Sequence, residues 1–367
     1  MTPNDAGDPR APARHGVVVL EGAVAPRYRL LPSVELFSAA DGDVYLLRTG
    51  GAPTVVVRQP EREDRALLER LAVEAVPVAE GSEEARRLAP LQAAGLLITE
   101  SESPPLPPDL AERFERQLPY FAGRADPVAA QRRLRAATVA VLGCGGLGTW
   151  VLAAVASLGV GRFILIDDDT VALSNLNRQI LFGVKDLGAA KVERAARWVA
   201  ELDPGIAVLS HRRRVESARD AAELLGGADV VVLAADWPPY ELGRWVNEAC
   251  IAAGVPFMLA GQQPPMLKVG PTYVPGRGPC FACHERRLAA EFPHYLELAA
   301  YRRDHPAPGI TLGPASGVVG TMLALEVMHL LLGDAPIATE GRAMLLDMRT
   351  LEQRWESVSR DPDCPTC

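Results

Sequence analysis

Aromatic residues are scarce in this chain, at 5% of 367 residues, and positive charge is in deficit, with a formal net charge of −8. With 48% apolar and 23% charged residues the composition is still that of a globular protein, so disorder is expected only toward the ends. The acidic balance argues against a broad nucleic-acid surface, and any acidic ligand must be held by a few placed cations. Hydrophobic runs of membrane-spanning length are also missing. The longest, around Val151–Val160 and Met322–Leu332, are interrupted by glycine or a charge and fall short of the ~20 residues a span needs, so no membrane segment is expected. The opening MTPNDAGDPRAPARHG lacks the charged start and apolar core of a secretory signal, and a cytoplasmic location is expected. Cysteines number six, too few for a disulfide scaffold, and four of them form two C-x-x-C pairs, which in a reducing compartment points to metal.

What is present divides the chain. Residues 1–16 read as a disordered tail. Short strands are expected at Arg27–Leu31, Val34–Phe37, Val44–Leu47 and Thr54–Val57, with turn signals at Asp41-Gly42 and Gly50-Gly51, followed by helices at Asp64–Val73 and Glu83–Ala94. Residues 17–100 therefore read as a small winged-helix-like α+β domain. Prolines crowd Pro104–Pro108 and mark residues 101–110 as a stiff extended linker. From residue 111 onward strands and helices alternate, TVAVL, RFILID, IAVLS and ADVVVLAAD being the strands, and VPFMLAG, LKVGPTYV, AMLLDM and EQRWES following. The fold class expected is α/β: a doubly wound, Rossmann-like, mostly parallel sheet with an antiparallel extension.

The chemistry is carried by GCGGLG, in which Gly143, Gly145, Gly146 and Gly148 sit between TVAVL and a helix-like run. Such a turn lets backbone amides at a helix start approach a phosphate, and it suits NAD, FAD or ATP equally. Asp167 in RFILIDDDTV lies at a strand end about 20 residues on, where a dinucleotide fold bonds ribose hydroxyls. Asp169 is either a second nucleotide contact or a cap on the turn after its strand. The next stretch, SNLNRQ, places Arg178 where a nucleotide's phosphates are within reach, and Lys191 opens a helix. One Arg and one Lys converging on a nucleotide suit phosphoryl chemistry, since both neutralise charge developing on the transferring group. Asp236, ending its strand, suits a Mg²⁺ ligand. Cys280, Cys283, Cys364 and Cys367 form the thiolate set of a closed structural zinc site. His284 adjoins that set but is read as solvated or hydrogen-bonded, while Cys144 and Cys250 are read as small buried apolar side chains.

In order and spacing, RFERQ (113–117), GCGGLG, IDDDTV, SNLNRQ, Lys191, Asp236, CFAC, LGPASGVVG and CPTC resemble the ubiquitin-activating-enzyme-like (ThiF/MoeB-type) adenylyltransferases. That superfamily includes the bacterial activators of sulfur-carrier proteins. The resemblance implies ATP as the nucleotide and an acyl adenylate as the product, with pyrophosphate released. By its pattern Asp167 would bind the ribose; Asn175, Arg178 and Gln179 the nucleotide; Lys191 the phosphates; and Asp236 the Mg²⁺. Arg116 would reach into the other subunit's site of a homodimer. Between Glu285 and Gly309 no cysteine stands ready to receive the acyl group, so an enzyme-bound thioester is not expected.

Residues 17–100 resemble the leader-peptide recognition domain of ribosomal-peptide natural-product pathways, and the two parts together resemble microcin-type peptide adenylyltransferases. The leader-binding proteins that accompany azoline-forming cyclodehydratases share this layout. The implied partners are a precursor peptide, a second copy of the chain, and in some pathways a downstream modifying enzyme. Three readings follow: a peptide adenylyltransferase, a non-catalytic leader-binding scaffold, and an activator of a ubiquitin-like sulfur carrier. Hydride transfer fits neither SNLNRQ nor the paired cysteines.

Overall fold

The computed structural model describes residues 25–48, 55–100, 103–122, 126–305 and 309–367. The expected tail at 1–16, the Gly50-Gly51 turn and the first two linker residues lie outside the described residues. The chain divides into two compact units, Met1–Glu100 and Ser101–Cys367.

In the first unit, strands β1 (Arg27–Leu30), β2 (Val34–Ser38), β3 (Val44–Arg48) and β4 (Val55–Val57) precede helix α1 (Arg62–Val73), β5 (Val76–Pro77), helix α2 (Glu83–Ala93) and β6 (Leu97–Thr99). The four leading strands do not form one sheet. β2, β3 and β4 make an antiparallel meander, with Phe37 opposite Tyr45, while β1 leaves it and sits between β5 and β6. β5 and β6 span two and three residues, too short to give a period-2 signal in the sequence. Leu46, Leu71 and Leu88 are fully buried and form the centre of the unit. Helix α2 starts where the Ser82 hydroxyl accepts a hydrogen bond from the Ala85 N–H at 3.1 Å, and it stops before Gly95, whose φ of +65° few side chains tolerate.

The second unit opens with α3 (Pro108–Arg113), α4 (Leu118–Phe121) and α5 (Pro127–Ala136). The helix therefore begins within the proline stretch rather than after it, because proline at the first helical turn loses no hydrogen bond and is already at helical φ. The carbonyls of Pro104 and Pro105 each accept a hydrogen bond from Arg132 at 2.9 Å, which ties the extended residues to α5. There follow β7 (Thr138–Leu142), α6 (Gly146–Ser157), β8 (Arg162–Ile166), α7 (Lys191–Leu202), β9 (Ala207–His211), α8 (Ala218–Leu224), β10 (Val230–Leu233) and α9 (Glu241–Ala253). The chain ends with β11 (Phe257–Gln263), β12 (Met266–Tyr273), α10 (Phe281–Glu291), α11 (Tyr295–Asp304), α12 (Gly313–Leu332), β13 (Arg342–Asp347) and β14 (Gln353–Ser357).

The eight-stranded sheet runs β14-β13-β12-β11-β10-β7-β8-β9. From β9 to β11 neighbours are parallel, and β11 to β14 pair antiparallel, so the doubly wound sheet and its antiparallel extension are both present. Chain order reverses between β7 and β10, so the connections leaving their carboxyl ends diverge and leave a crevice there. One face is covered by α5, α6, α7 and α12, the other by α8 and α9. Helix α12 is long and apolar enough to cross a bilayer by composition, which the interrupted apolar runs of the sequence did not indicate. Within the fold two thirds of it (67%) is buried, lying along α6 and the sheet.

That contact depends on two glycines of α12. A Cβ on Gly320 would stand 2.6 Å from Trp150 Cβ, and one on Gly317 would touch the indole ring of Trp150 at 3.4 Å. Gly320→Ala tests the packing because helix propensity alone would stabilise by ~1 kcal/mol. A loss of about 1–3 kcal/mol in unfolding free energy by denaturant titration is expected from overpacking, and a gain would show that the helices stand apart.

Candidate active site

A cavity of about 580 Å³ lies in the crevice at the strand reversal. Its floor is the glycine turn between β7 and α6. Gly143 has φ +101° and passes so close to the next loop that a Cβ would lie 2.8 Å from the Ala234 carbonyl carbon. A Cβ on Gly148 would lie 1.8 Å from the Gly143 carbonyl oxygen, so these two glycines close the turn. Gly145 differs. Around it the nearest atom to a Cβ would be Gln179 Nε2 at 3.9 Å, leaving the first amides of α6 bare toward the cavity. Exposed helix N-terminal amides attract phosphate oxygens. Gly146 also lines the cavity, with Ser316 Oγ and the Arg178 side chain against it.

Asp167 ends β8 on the opposite wall. Its carboxylate accepts the Cys144 N–H at 2.6 Å and the Asp169 N–H at 2.8 Å, so it bridges the glycine turn and the β8 loop. Burial raises its pKa above the ordinary carboxylate value, against the opposing effects of Lys191 and the two amides. Lys191 is buried at the first position of α7, with Nζ 2.7 Å from Asp169 Oδ2. A cation there works against the helix dipole and pays a desolvation cost, a combination that helix stability does not account for. Arg178 lines the cavity from the SNLNRQ turn, its guanidinium held by the Ser174 carbonyl at 2.8 Å and Asn177 Oδ1 at 3.0 Å. Gln179, 2% exposed, also lines it, and its Oε1 has no hydrogen-bond partner among the described residues. The buried Oγ1 of Thr311, on the same wall, lacks one too. Buried polar atoms are nearly always bonded, so this pair fits a polar ligand bringing its own donors and acceptors. Asp236 does not end its strand as expected: β10 stops at Leu233, and Asp236 lines the cavity from the loop that follows, beside Trp237.

Three residues singled out in the sequence stand elsewhere. Gly148 acts inside the turn. The Asn175 side chain does not line the cavity; its Oδ1 accepts the Ala172 N–H at 3.0 Å and so shapes the loop that carries Arg178 and Gln179. Arg116 is exposed, outside this cavity. Conversely, the cavity includes residues that reading by motif passed over: Arg213, Arg214, Gln262 and Thr311. Arg214 pairs with Asp168 at 2.9 Å. Its signal was available, because HRRRV follows β9 at the same carboxyl edge of the sheet where ligands bind. Gln262 had none, since it approaches only when β11 packs beside α12 and it meets Ser316 Oγ at 2.9 Å.

The four paired cysteines converge. Cys280 and Cys283 at the start of α10 meet Cys364 and Cys367 from the C-terminal segment, with Sγ separations of 3.7 Å for Cys280–Cys364, 3.4 Å for Cys283–Cys367 and 4.0 Å for Cys280–Cys283. Four sulfurs about 2.3 Å from one zinc would have edges of about 3.8 Å, so the donor set and its size fit a tetrahedral metal. The Asp361 N–H donates to Cys283 Sγ at 3.4 Å. His284 is buried and is not one of the clustered donors, its Nδ1 being hydrogen-bonded to the Tyr273 hydroxyl at 2.8 Å.

Cys144 and Cys250 are buried, 1% and 2% exposed. Burial raises the Cys144 thiol pKa, with Asp167 adding to the effect, and burial pushes Cys250 up to about 12. Neither is poised as a nucleophile, because the thiolate is the reactive form. Iodoacetamide at pH 8 is expected to leave both unmodified in the native protein and to modify both after denaturation, read by mass spectrometry. Rapid native labelling of Cys144 would contradict this account of the glycine turn.

Residues 114–366 match the family model described as the ThiF family. The chain is 34% identical to the SAMP-activating enzyme E1 of Haloferax volcanii over 238 residues, 65% of this chain and 82% of that protein. It is 32% identical to the sulfur carrier protein ThiS adenylyltransferase of Escherichia coli, over 65% of this chain and 88% of that one. The adenylyltransferase and sulfurtransferase MOCS3 of Sus scrofa is 35% identical over 75% of this chain, which spans 59% of that longer protein. Among solved structures, E. coli MccB with ATP superposes with a TM-score of 0.74 at 23% identity, over 93% of this chain and 99% of that one. With a cavity at the strand reversal lined by the glycine turn, Asp167, Arg178 and Lys191, and a family match across most of its length, the chain belongs to the ThiF family and is an ATP-dependent adenylyltransferase.

Proposed function

We propose that this enzyme adenylates a carboxylate of a ribosomally made precursor peptide, and that the first unit captures the peptide's leader. One observation carries the reading. The sulfur-carrier activator of E. coli corresponds to 65% of this chain and MOCS3 of Bos taurus to 85%, whereas the likeness in fold to MccB extends over 93% and so takes in most of the N-terminal unit. One MccB structure is that of the microcin C7 biosynthetic enzyme in complex with N-formylated MccA. The short strands of the first unit suit capture by strand addition, in which an extended peptide pairs with a sheet edge. Tethering the leader then raises the local concentration of the reacting end near ATP.

In the reaction a carboxylate oxygen attacks the α-phosphorus, the bond to the bridging oxygen breaks, and pyrophosphate leaves with the electron pair. The carboxylate is ionised at neutral pH, so no general base is needed and catalysis rests on positioning and charge. Asp167 is assigned to the ribose, the first amides of α6 with Arg178 and Lys191 to the phosphates, and Gln179 to the nucleotide. Asn175 keeps its place by shaping the loop. Arg116, exposed and not on the lining of its own cavity, is assigned to the site of the other subunit in a homodimer. Asp236 would hold magnesium, which would offset the charge of the triphosphate. The four cysteines would hold a structural zinc that ties the C-terminus to α10.

Sulfur-carrier activation is the second reading, favoured by the names of the relatives above. ATP–pyrophosphate exchange separates the two, using a candidate ribosomal precursor peptide and a carrier ending in Gly-Gly as alternative substrates. Exchange with the peptide supports the proposal, exchange with the carrier alone supports the second reading, and tight peptide binding without exchange supports a scaffold. In the same assay Lys191→Ala is expected to lower exchange by roughly 10²-fold or more while peptide affinity stays unchanged. Removing residues 1–100 is expected to abolish tight peptide binding, measured by fluorescence anisotropy, while ATP binding persists. Cys364→Ser is expected to release zinc, measured by elemental analysis, and to lower the melting temperature, because a structural metal is coupled to folding.

A further inference from the structure

Asp236, Ala260 and Gly261 line both the nucleotide cavity and a second one of about 340 Å³ beside it. The second cavity is walled by Tyr240, Lys268, Tyr295 and Arg302, and the roles assigned above leave these residues unused. Asp236 is the one acidic residue on its lining and is taken by the magnesium role assigned above, while two further acidic residues nearby are already neutralised. Glu285 is bound by Arg244 at 2.7 Å and by the Tyr295 hydroxyl at 3.3 Å, and Glu241 pairs with Arg303 at 3.2 Å. The cations on its wall are not. Among the described residues the Lys268 ammonium donates no hydrogen bond, and the one carboxylate in range, Glu356 Oε2, is 4.0 Å away. Arg302 likewise has no ion pair or hydrogen bond with a described residue, although it lines the cavity and is partly buried. Burial lowers the Lys268 pKa, with Glu356 opposing and Arg287 adding to the effect. Tyr240 stands at φ +68°, and its ring meets the edge of Tyr295 at 5.3 Å, giving the cavity an aromatic wall.

We propose that this cavity receives the side chain of the substrate residue whose carboxylate is activated, and that Lys268 and Arg302 select an acidic one, aspartate or glutamate. The inference rests on the adenylation reading and adds the substrate's terminal chemistry to it. A carboxylate attacking the α-phosphorus must enter the nucleotide cavity, so the substituent on the neighbouring carbon meets the wall formed by Asp236 and Gly261, beyond which the second cavity opens. Two cations then face it, Lys268 with only a 4.0 Å ion pair to Glu356 and Arg302 with no partner among the described residues, and a charged hydrogen bond to a carboxylate is the contact both can make. A chain ending in glycine offers nothing to this cavity.

The test uses the full chain and three probes: N-acetyl-alanyl-aspartate, N-acetyl-alanyl-asparagine and N-acetyl-alanyl-glycine. Each is added with an ATP analogue that cannot be cleaved between the α- and β-phosphates, and acetylation of Lys268 by a water-soluble succinimidyl ester is followed by mass spectrometry. The aspartyl probe is expected to slow Lys268 acetylation about tenfold more than the glycyl probe. Equal protection by all three probes, or none by any, overturns the proposal. ATP–pyrophosphate exchange with the same probes separates this inference from the reading beneath it. Exchange favouring aspartate about tenfold, with the preference lost in Lys268→Met, supports both. Selective protection without exchange keeps the cavity assignment and counts against adenylation, whereas exchange at equal rates without selective protection keeps adenylation and discards the cavity assignment.

Discussion

The approach of Gly148 to the carbonyl oxygen of Gly143 is the constraint from which the site follows. No Cβ fits there, and none fits between Gly143 and the loop after β10. Because the chain turns this tightly, α6 begins directly above the carboxyl edge of the sheet, with its first amides toward the crevice between β7 and β10. Asp167 then locks the turn by accepting the Cys144 N–H, so one carboxylate both fixes the backbone and faces the cavity. The geometry that receives a nucleotide is thus part of the packing of the sheet.

The cavity is also where several costs of burial fall together. Lys191 is a buried cation at the positive end of a helix, balanced by Asp169. Gln179 and Thr311 keep buried polar atoms without partners among the described residues. Each departs from the rule that interiors satisfy charge and hydrogen bonds, and all line one space of about 580 Å³. The paired cysteines solve a different problem. The chain after β14 contributes little apolar surface of its own, and the convergence of Cys364 and Cys367 on α10 gives it an anchor.

Two helices of the second unit show why composition alone misleads about burial. α12 carries an apolar stretch of membrane-spanning length, yet Gly317 and Gly320 let it lie against Trp150 of α6. The Trp150 indole N–H in turn donates to the Arg178 carbonyl at 3.1 Å, so the helix contact reaches the loop that borders the cavity. Core packing and site geometry share these residues, and a change at Gly320 acts on both.

The amino-acid sequence by itself determined the alternation of the second unit, the glycine turn, the acid at the end of β8, and the pairing of the cysteines. Each of these is a local pattern: a period of apolar residues, a turn that demands glycine, or a short fixed spacing. The residues nearest the site in sequence, Asp167, Arg178, Gln179 and Lys191, were legible for the same reason. Only the tertiary structure decided the rest. It split the leading strands into two sheets, because strands of two or three residues leave no period to read. It turned Asn175 to the backbone, and it brought Arg214, Gln262 and Thr311 to the cavity from distant elements. It also left Lys268 and Arg302 facing one space, Lys268 with one carboxylate at 4.0 Å and Arg302 with no partner among the described residues, an arrangement that depends on which carboxylates the fold brings within reach and therefore has no signature along the chain.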